Sequence, residues 1–448
     1  MNPRRDISFR QLARTLYERS GLKSELARMT HGSPLREWRL GVVAAIVLPL
    51  GLILMLLSSN RIRQGTPYWV YVVALCITGI AAYPAQWILR RLDTTEPEPW
   101  WLLDGAKWYG SALSLGVAAA FNLTAEGVLT ILFGRAFATG LQLVFLNPLA
   151  AEAAKGAAVL LLVWLLRNEF DGVRDGILYG AYVGLGYLVA VTMVTLVRAY
   201  IATGTLAALN IVLWRFVFLG LNEHTLWTAL FGAAVGLAMQ TERRWLSIAA
   251  PLAGFLLGLL ADMLHQTIMI GFFGGTLGWF GYPRTSLALF GAIPPGVVWL
   301  AAAISTLAVQ FPFYLLLLVA LIWSGRWERR VLERELRSEV GTPSMTEDEY
   351  AALLAGRQLY HTTLTGWLAA YREGRLAQEL IISRRWQQVR LLQAELAFQK
   401  WRIARAGKPV DDDPIIVGLR ADIVTRRPTN IVDIKRMLEG IFEKGDRP

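Results

Sequence analysis

The chain has 448 residues, of which 54% are hydrophobic, and its mean hydropathy of +0.41 is too high for a soluble globular protein. The formal net charge is +11, but the basic residues are spread over loops and tails, so the positive-inside rule explains them better than nucleic-acid binding does. The single cysteine, Cys76, lies in an apolar run, which excludes a disulfide framework and argues against cysteine-ligated zinc or cysteine catalysis.

The N-terminal segment, residues 1–38, is charged and basic, with Phe9, Leu12 and Leu16 on one helical face. A helix on an anionic cytoplasmic leaflet and a solvated tail both fit this pattern. The first apolar run begins near Leu40 without a short hydrophobic core and cleavage site. We therefore expect it to stay in the membrane as a first span rather than to be removed as a signal peptide.

Apolar runs of spanning length follow this segment. They cover about 40–58, 68–89, 105–121, 129–149 leading into 150–166, 176–199, 207–239, 247–271 and 295–324. The run over 129–166 is predicted to break at Asn147–Pro148, because the residue before proline is disfavoured in a helix. The over-long run at 207–239 is predicted to begin as a re-entrant piece that holds Arg215. The pattern predicts an all-α polytopic membrane bundle of about eight transmembrane helices.

Basic residues concentrate on alternate loops, which predicts that both termini are cytoplasmic. These are Arg90–Arg91, Arg167 with Arg174, Arg243–Arg244, and the arginines between 326 and 330. The expected domains are a basic cytoplasmic segment at 1–38, a membrane domain at 39–325 and a mostly helical cytoplasmic domain at 326–448. In the last of these, a T-x-x-E capping box opens a helix at about 347–370. Further helices are expected at about 384–405 and near 431–442.

Several charged or metal-ligating residues fall at membrane depth. They are Arg135, Glu152, Lys155, Arg198, Arg215, Glu223, His224, Asp262 and His265. A carboxylate in hydrocarbon costs roughly 3 kcal/mol on insertion scales, so such residues are functional-site candidates. Glu152 with His224 and His265 could hold zinc with water in the remaining position. Alternatively, the glutamate could act as a general base on water held by the histidines.

The other charged residues each have a structural interpretation as well. Lys155 lies three residues after Glu152 and could pair with it across one helical turn. Asp262 could orient His265, act as a ligand, cap a helix or line a cavity. Arg198 and Arg215 are expected to snorkel or to be charge-paired rather than to be catalytic, and Glu223 points roughly 100° away from its neighbour His224 on a helix.

Five stretches, taken in chain order, resemble the motifs of one known family. They are DTTEPEPW at 93–100, PLAAEAAK at 148–155, EFDG at 169–172 with DGILYG at 175–180 and GLGY at 184–187, HTLWTALFG at 224–232, and the histidine at 265. The chain thereby resembles the PrsW family of polytopic intramembrane proteases, which is related to CAAX-processing and bacteriocin-processing membrane proteases. The tail at 349–350 and 393–397 is similar to tails of some bacterial members, so we expect a bacterial cytoplasmic membrane.

The chain also departs from the motifs of that family. Ala151 stands where the family has the first glutamate of a Glu-Glu pair, and Val191 and Thr192 stand where it has a glutamate and an asparagine. The tryptophan and asparagine that follow the later histidine in the family are absent after His265. Of the family's site residues, this sequence therefore retains Glu152, Lys155, His224 and His265.

The resemblance implies catalytic roles for Glu152 and Lys155, and a divalent metal, expected to be zinc, held by His224, His265 and Glu152, with Asp262 as an additional candidate. The expected partners are the lipid bilayer and a membrane-anchored protein, with no nucleic acid. An active intramembrane metalloprotease and a degenerate relative acting as a scaffold or substrate-binding regulator both stay open. The second follows if the losses at Ala151 and Val191 abolish activity. A transporter or channel is the third alternative, although no inverted repeat is apparent.

Overall fold

The structure of the chain is a computed structural model. It describes residues 66–92, 98, 100–166, 170, 172–282, 287–356 and 376–427. These residues form helices and turns without a named strand, so the all-α prediction is confirmed for them. The basic segment and the first apolar run, at about 40–58, lie outside the described residues. The described residues divide into two compact units, one ending at Ile322 and the other beginning at Trp323.

The membrane unit is a bundle of helices joined by short turns. Its helices are α1 (Tyr68–Ala81), α2 (Tyr83–Leu92), α3 (Trp100–Tyr109), α4 (Leu115–Phe133), α5 (Arg135–Leu141), α6 (Asn147–Leu165), α7 (Val173–Thr203), α8 (Thr205–Arg215), α9 (His224–Gln240), α10 (Arg244–Leu264), α11 (Ile270–Trp279) and α12 (Pro295–Leu336), whose end belongs to the second unit. Wider π-helical turns lie at Gly110–Ser114, Gln142–Leu146 and His265–Met269, and a 3-10 turn at Leu287–Ala292.

Six helical stretches of the described residues are long and apolar enough to cross a membrane. They are Tyr68–Leu92, Leu102–Phe133, Arg135–Leu165, Val173–Thr203, Arg244–Trp279 and Pro295–Glu339. The run predicted at 207–239 is divided into α8 and α9. That α8, which ends at Arg215, is re-entrant stays a prediction. Leu219, Gly220 and Glu223 all take positive φ angles in the turn between the two helices. The total of about eight spans stays a prediction, as does the orientation of the termini.

The break predicted at Asn147–Pro148 is wrong. The helical stretch runs without interruption from Arg135 to Leu165, and Pro148 lies in the first turn of α6. A π-helical turn at Gln142–Leu146 comes directly before α6. A proline removes one regular backbone hydrogen bond and crowds the preceding turn, and the wider turn relieves both effects. Glu152 therefore lies in the second turn of α6, inside a continuous helical stretch.

Helix α7 is the centre of the membrane unit, because 83% of the residues in its 18-residue apolar stretch are buried. It packs closely against the antiparallel α9 through glycines. A Cβ added at Gly184 would lie 2.3 Å from the carbonyl oxygen of His224, and one added at Gly176 would lie 2.0 Å from that of Gly232. Small residues at such positions let two helix backbones approach closely in a membrane. The glycines thus hold the first residue of α9 against the middle of α7.

The second unit contains the C-terminal part of α12 with α13 (Glu347–Leu354), α14 (Leu376–Arg405) and α15 (Pro414–Arg426). The predicted capping box is confirmed, since Thr346 accepts from the backbone N–H of Glu349 and its own N–H donates to the Glu349 carboxylate. Helix α13 ends well before the predicted residue 370, and α14 begins before the predicted 384. Residues 357–375 and the helix predicted near 431–442 lie outside the described part of the chain.

Candidate functional site

Three ligating side chains from three helices meet inside the membrane unit. Glu152 lies on α6, His224 begins α9, and Asp262 lies in the last turn of α10. Each offers a ligand atom, and these atoms lie within 4.8 Å of one another. All three residues are buried, with 1–5% of their surface exposed. We call these three residues the carboxylate–histidine cluster.

Local packing explains why the side chains meet. Gly258 of α10 has no side chain where Glu152 approaches, and a Cβ there would lie 3.5 Å from the Glu152 carboxylate oxygen Oε2. His224 follows the strained turn between α8 and α9, and its ring meets the edge of Tyr187 at 4.7 Å between ring centres. The close approach of α7 and α9 fixes the backbone of His224 in addition to its ring.

Lys155 is fully buried beside the cluster. Its ammonium donates to Glu152 Oε1 at 2.5 Å and lies 3.1 Å from His224 Nδ1. The same ammonium lies 5.2 Å from the centre of the Tyr187 ring, a cation–π distance. The expected pairing of Lys155 with Glu152 is therefore present, and it leaves the second oxygen of Glu152 available.

Asp262 is the unsatisfied member of the cluster. Both of its carboxylate oxygens are buried and have no hydrogen-bond partner among the described residues. A buried carboxylate without a partner is strongly unfavourable, so the site needs a further cation or proton. Carboxylate oxygens and an imidazole nitrogen are the donors that zinc and several other divalent metals accept. The chemistry of these three side chains thus fits a divalent metal.

His265 lies in a neighbouring cluster. Its Nε2 is 3.5 Å from Glu223 Oε1, and its Nδ1 is 3.3 Å from the Gln310 side-chain nitrogen. The carboxylate of Glu223 also pairs with Arg215. The backbone N–H of Glu223 donates to the side-chain oxygen of Gln310. Charge pairing of Arg215 is what the sequence analysis expected. We call Arg215, Glu223, His265 and Gln310 the turn-anchoring network.

The structure therefore brings together two of the three ligands expected first, Glu152 and His224, and adds Asp262 to them. His265 is held by the turn-anchoring network, outside the set of atoms that lie within 4.8 Å. Sequence reasoning did not group Glu223 with His265. The signal for that pair was weak, because the two residues are 42 positions apart and each has a nearer charged neighbour in the chain.

A cavity of about 430 Å³ opens beside the carboxylate–histidine cluster, and His224 and Asp262 line it. Ala151 and Val191, the two positions where the sequence departs from glutamate motifs, line it as well. Both pack in one apolar group with Leu115. The two departures thus lie on one apolar part of the same cavity wall.

Comparison with known proteins supports the resemblance drawn from the motifs. Residues 98–290 match the sequence model of the PrsW family intramembrane metalloproteases, so the resemblance is confirmed over this region. No curated protein and no solved structure matches the chain. The match is to the PrsW family over residues 98–290, and the six apolar helical stretches found among the described residues support an integral membrane protein. The family implies a metal, a lipid bilayer and a membrane substrate.

Proposed function

We propose that this protein is an intramembrane metalloprotease that hydrolyses a peptide bond of a membrane-associated protein, with Glu152, His224 and Asp262 as its metal ligands. The observation that carries the proposal is Asp262, whose two buried oxygens have no hydrogen-bond partner in the described part of the chain although ligand atoms of Glu152 and His224 lie within 4.8 Å. We expect the metal to be zinc, because this donor set matches the carboxylate and imidazole ligands of catalytic zinc sites.

The residues around the cluster would orient its donors. Lys155 holds one oxygen of Glu152, which fixes the carboxylate and directs the other oxygen away from the ammonium. Tyr187 supports the His224 ring from its edge. A divalent metal at this position would polarise the substrate carbonyl and activate water. Because Lys155 holds Oε1, the second oxygen of Glu152 is the one left to hold the metal.

His265 would act differently from the role that the resemblance implies. It contacts Glu223 and Gln310, and Glu223 directly precedes His224 in the chain. In this proposal His265 is a positioning residue, which stabilises the strained turn that delivers His224. A bacterial cytoplasmic membrane with both termini in the cytoplasm also stays part of the proposal.

The direct test compares two substitutions. One removes Asp262, a ligand in this proposal, and the other removes His265, a ligand that the resemblance implies. Purified full-length protein, Asp262→Asn and His265→Gln would each be equilibrated with zinc and analysed by mass spectrometry for metal content. We expect about one zinc per chain in the wild type and in His265→Gln. Asp262→Asn should lose about 100-fold or more in zinc affinity, since even outer partners of ligands contribute about 10–100-fold. Zinc loss in His265→Gln with retention in Asp262→Asn would refute the ligand set.

Hydrolysis itself needs a separate measurement. Membranes that contain wild-type protein or Glu152→Gln would be compared by mass spectrometry of protein N-termini. New termini in membrane proteins should appear only with the wild type. If the two membranes show the same termini, the proposal of a protease fails even when zinc binds.

A degenerate regulator is the second candidate, and Lys155 favours it. The ammonium already contacts Glu152 and His224, so an internal cation takes part of the role that a metal would have. The apolar packing of Ala151 and Val191 fits this alternative as well. Wild-type protein without zinc and without new termini, but with a stable membrane-protein partner in pull-downs, would favour the regulator.

A further inference from the structure

The cavity extends well beyond the carboxylate–histidine cluster, along helices α4 and α7. The cavity-lining residues of α4 recur every three or four positions and form one stripe: Leu115, Ala119, Asn122, Leu123 and Glu126. From Leu115 to Glu126 the stripe covers eleven positions, which corresponds to about 16 Å of helix rise. The wall becomes more polar along this length, from leucine and alanine to asparagine and glutamate.

The facing stripe on α7 has the same length. Its residues are Tyr187, Val191, Val194, Thr195 and Arg198. Tyr187 contacts the His224 ring, so this stripe begins at the cluster. It ends about 16 Å further along the helix at Arg198. The cavity is therefore a groove with the cluster near one end and two side chains of opposite charge, Glu126 and Arg198, near the other.

An extended peptide matches this groove. The carbonyl of a bond to be hydrolysed must be free of helical hydrogen bonds, so the substrate has to be extended at the cluster. An extended chain advances about 3.3 Å per residue, so about five residues reach from the cluster to the level of Arg198. Side chains at that distance from the hydrolysed bond would lie beside the two charges.

Arg198 is available for a ligand. Its side chain is exposed, and among the described residues it makes neither an ion pair nor a hydrogen bond. Arg215, which also lines the cavity, differs because it is neutralised by Glu223. Glu126 faces the same cavity without forming an ion pair with Arg198. A guanidinium group suits a carboxylate well, since its planar fork can donate two parallel hydrogen bonds.

We propose that Arg198 determines substrate specificity by binding a carboxylate on an acidic residue about five positions from the bond that is hydrolysed. This inference rests on the proposed protease function, because it takes the carboxylate–histidine cluster as the place of hydrolysis. It defines the substrate class as membrane-associated segments that unwind and carry an acidic side chain at that spacing.

Binding can be measured without hydrolysis. Full-length Glu152→Gln protein in nanodiscs of zwitterionic lipid would be titrated with fluorescein-labelled twelve-residue peptides that have Asp or Asn near one end. The Asp peptide should bind about 10-fold more tightly, the effect of one hydrogen bond to a charged group. Adding Arg198→Gln should abolish the difference, and Arg198→Glu should reverse it in favour of a Lys peptide. The matched change Glu126→Gln, on the opposite wall, should keep the preference for Asp or enlarge it, because it removes a like charge.

A second arm separates this inference from the proposed function. Wild-type protein would be given the Asp peptide, and the products identified by mass spectrometry. Cleavage about five residues from Asp, with a raised KM and an unchanged kcat in Arg198→Gln, is the expected result. Cleavage without discrimination between Asp and Asn would overturn the role of Arg198 and leave the protease intact. Discrimination in binding without cleavage would refute the protease and keep the groove as an acidic-peptide site.

Anionic lipid is the competing occupant of Arg198. The binding measurement would therefore be repeated in nanodiscs that contain phosphatidylglycerol. If Arg198 serves a lipid headgroup, the Asp and Asn peptides should bind equally in both kinds of disc. That outcome would overturn the proposal.

Discussion

Replacing Gly184 by alanine should move His224 and weaken the site. A Cβ at this position would lie 2.3 Å from the carbonyl oxygen of His224, whereas ordinary contacts begin near 3.4 Å. Helices α7 and α9 would have to separate by about 1 Å to restore normal contact. Overpacking of this kind costs typically about 1–3 kcal/mol. The displacement acts on the backbone of a residue whose ring belongs to the carboxylate–histidine cluster.

Two measurements follow from this displacement. A loss near 2 kcal/mol should lower Tm by a few degrees, as followed by tryptophan fluorescence in detergent. A misplacement of about 1 Å can reduce activity about 100-fold, so we expect zinc affinity and hydrolysis to fall even below the new Tm. The two effects have one cause and should appear together.

Gly127→Ala provides the matched control, because a Cβ there meets nothing within 4 Å and the residue also lies inside a membrane helix. This control should keep or slightly raise Tm, since alanine favours helix by about 1 kcal/mol over glycine. If Gly184→Ala has the Tm and zinc affinity of Gly127→Ala, close helix packing does not position His224 and the reasoning is refuted.

Three further predictions concern charge. Lys155→Met should leave the Glu152 carboxylate unpaired and cost about 3 kcal/mol without metal; the rise in Tm on adding zinc should then exceed that of the wild type, and an equal rise would contradict the role of Lys155. Ala151→Glu should lower Tm, because it buries a carboxylate in an apolar group, and zinc should recover the loss; recovery by magnesium alone would argue against a zinc ligand. Glu339→Gln should destabilise the second unit by about 3 kcal/mol, since Lys400 and Arg420 both donate to that buried carboxylate, and an unchanged urea midpoint of that unit would disprove it.

The spans were largely predictable from the sequence, because length and hydropathy alone identify a helix that must satisfy its own backbone in lipid. The break between α8 and α9 was also visible as an over-long run with Arg215 inside it. The break at Pro148 was predicted wrongly. Proline signals a lost hydrogen bond, but the sequence does not show that a π-helical turn at Gln142–Leu146 absorbs it.

The site was predictable in part for a geometrical reason. Asp262 and His265 are three residues apart, so on a regular α-helix they share one face and neither is favoured as the partner of Glu152. A π-helical turn begins at His265, and a wider turn changes the direction of the side chains that it contains. The aspartate thus reaches the carboxylate–histidine cluster, while the histidine reaches Glu223. Only the three-dimensional arrangement distinguishes these outcomes.

Ala151 is therefore weaker evidence for an inactive site than the motif alone suggests. A missing glutamate implies an inactive site only if no other carboxylate takes its place beside Glu152. A ligand atom of Asp262, on another helix, lies within 4.8 Å of those of Glu152 and His224, and its two oxygens have no hydrogen-bond partner within the ranges that the structure describes. With Lys155 neutralising one negative charge, the cluster keeps one carboxylate charge for a cation when His224 is neutral. The number of carboxylates that meet in the cluster, rather than their place in the motif, decides how much negative charge is left for a divalent metal.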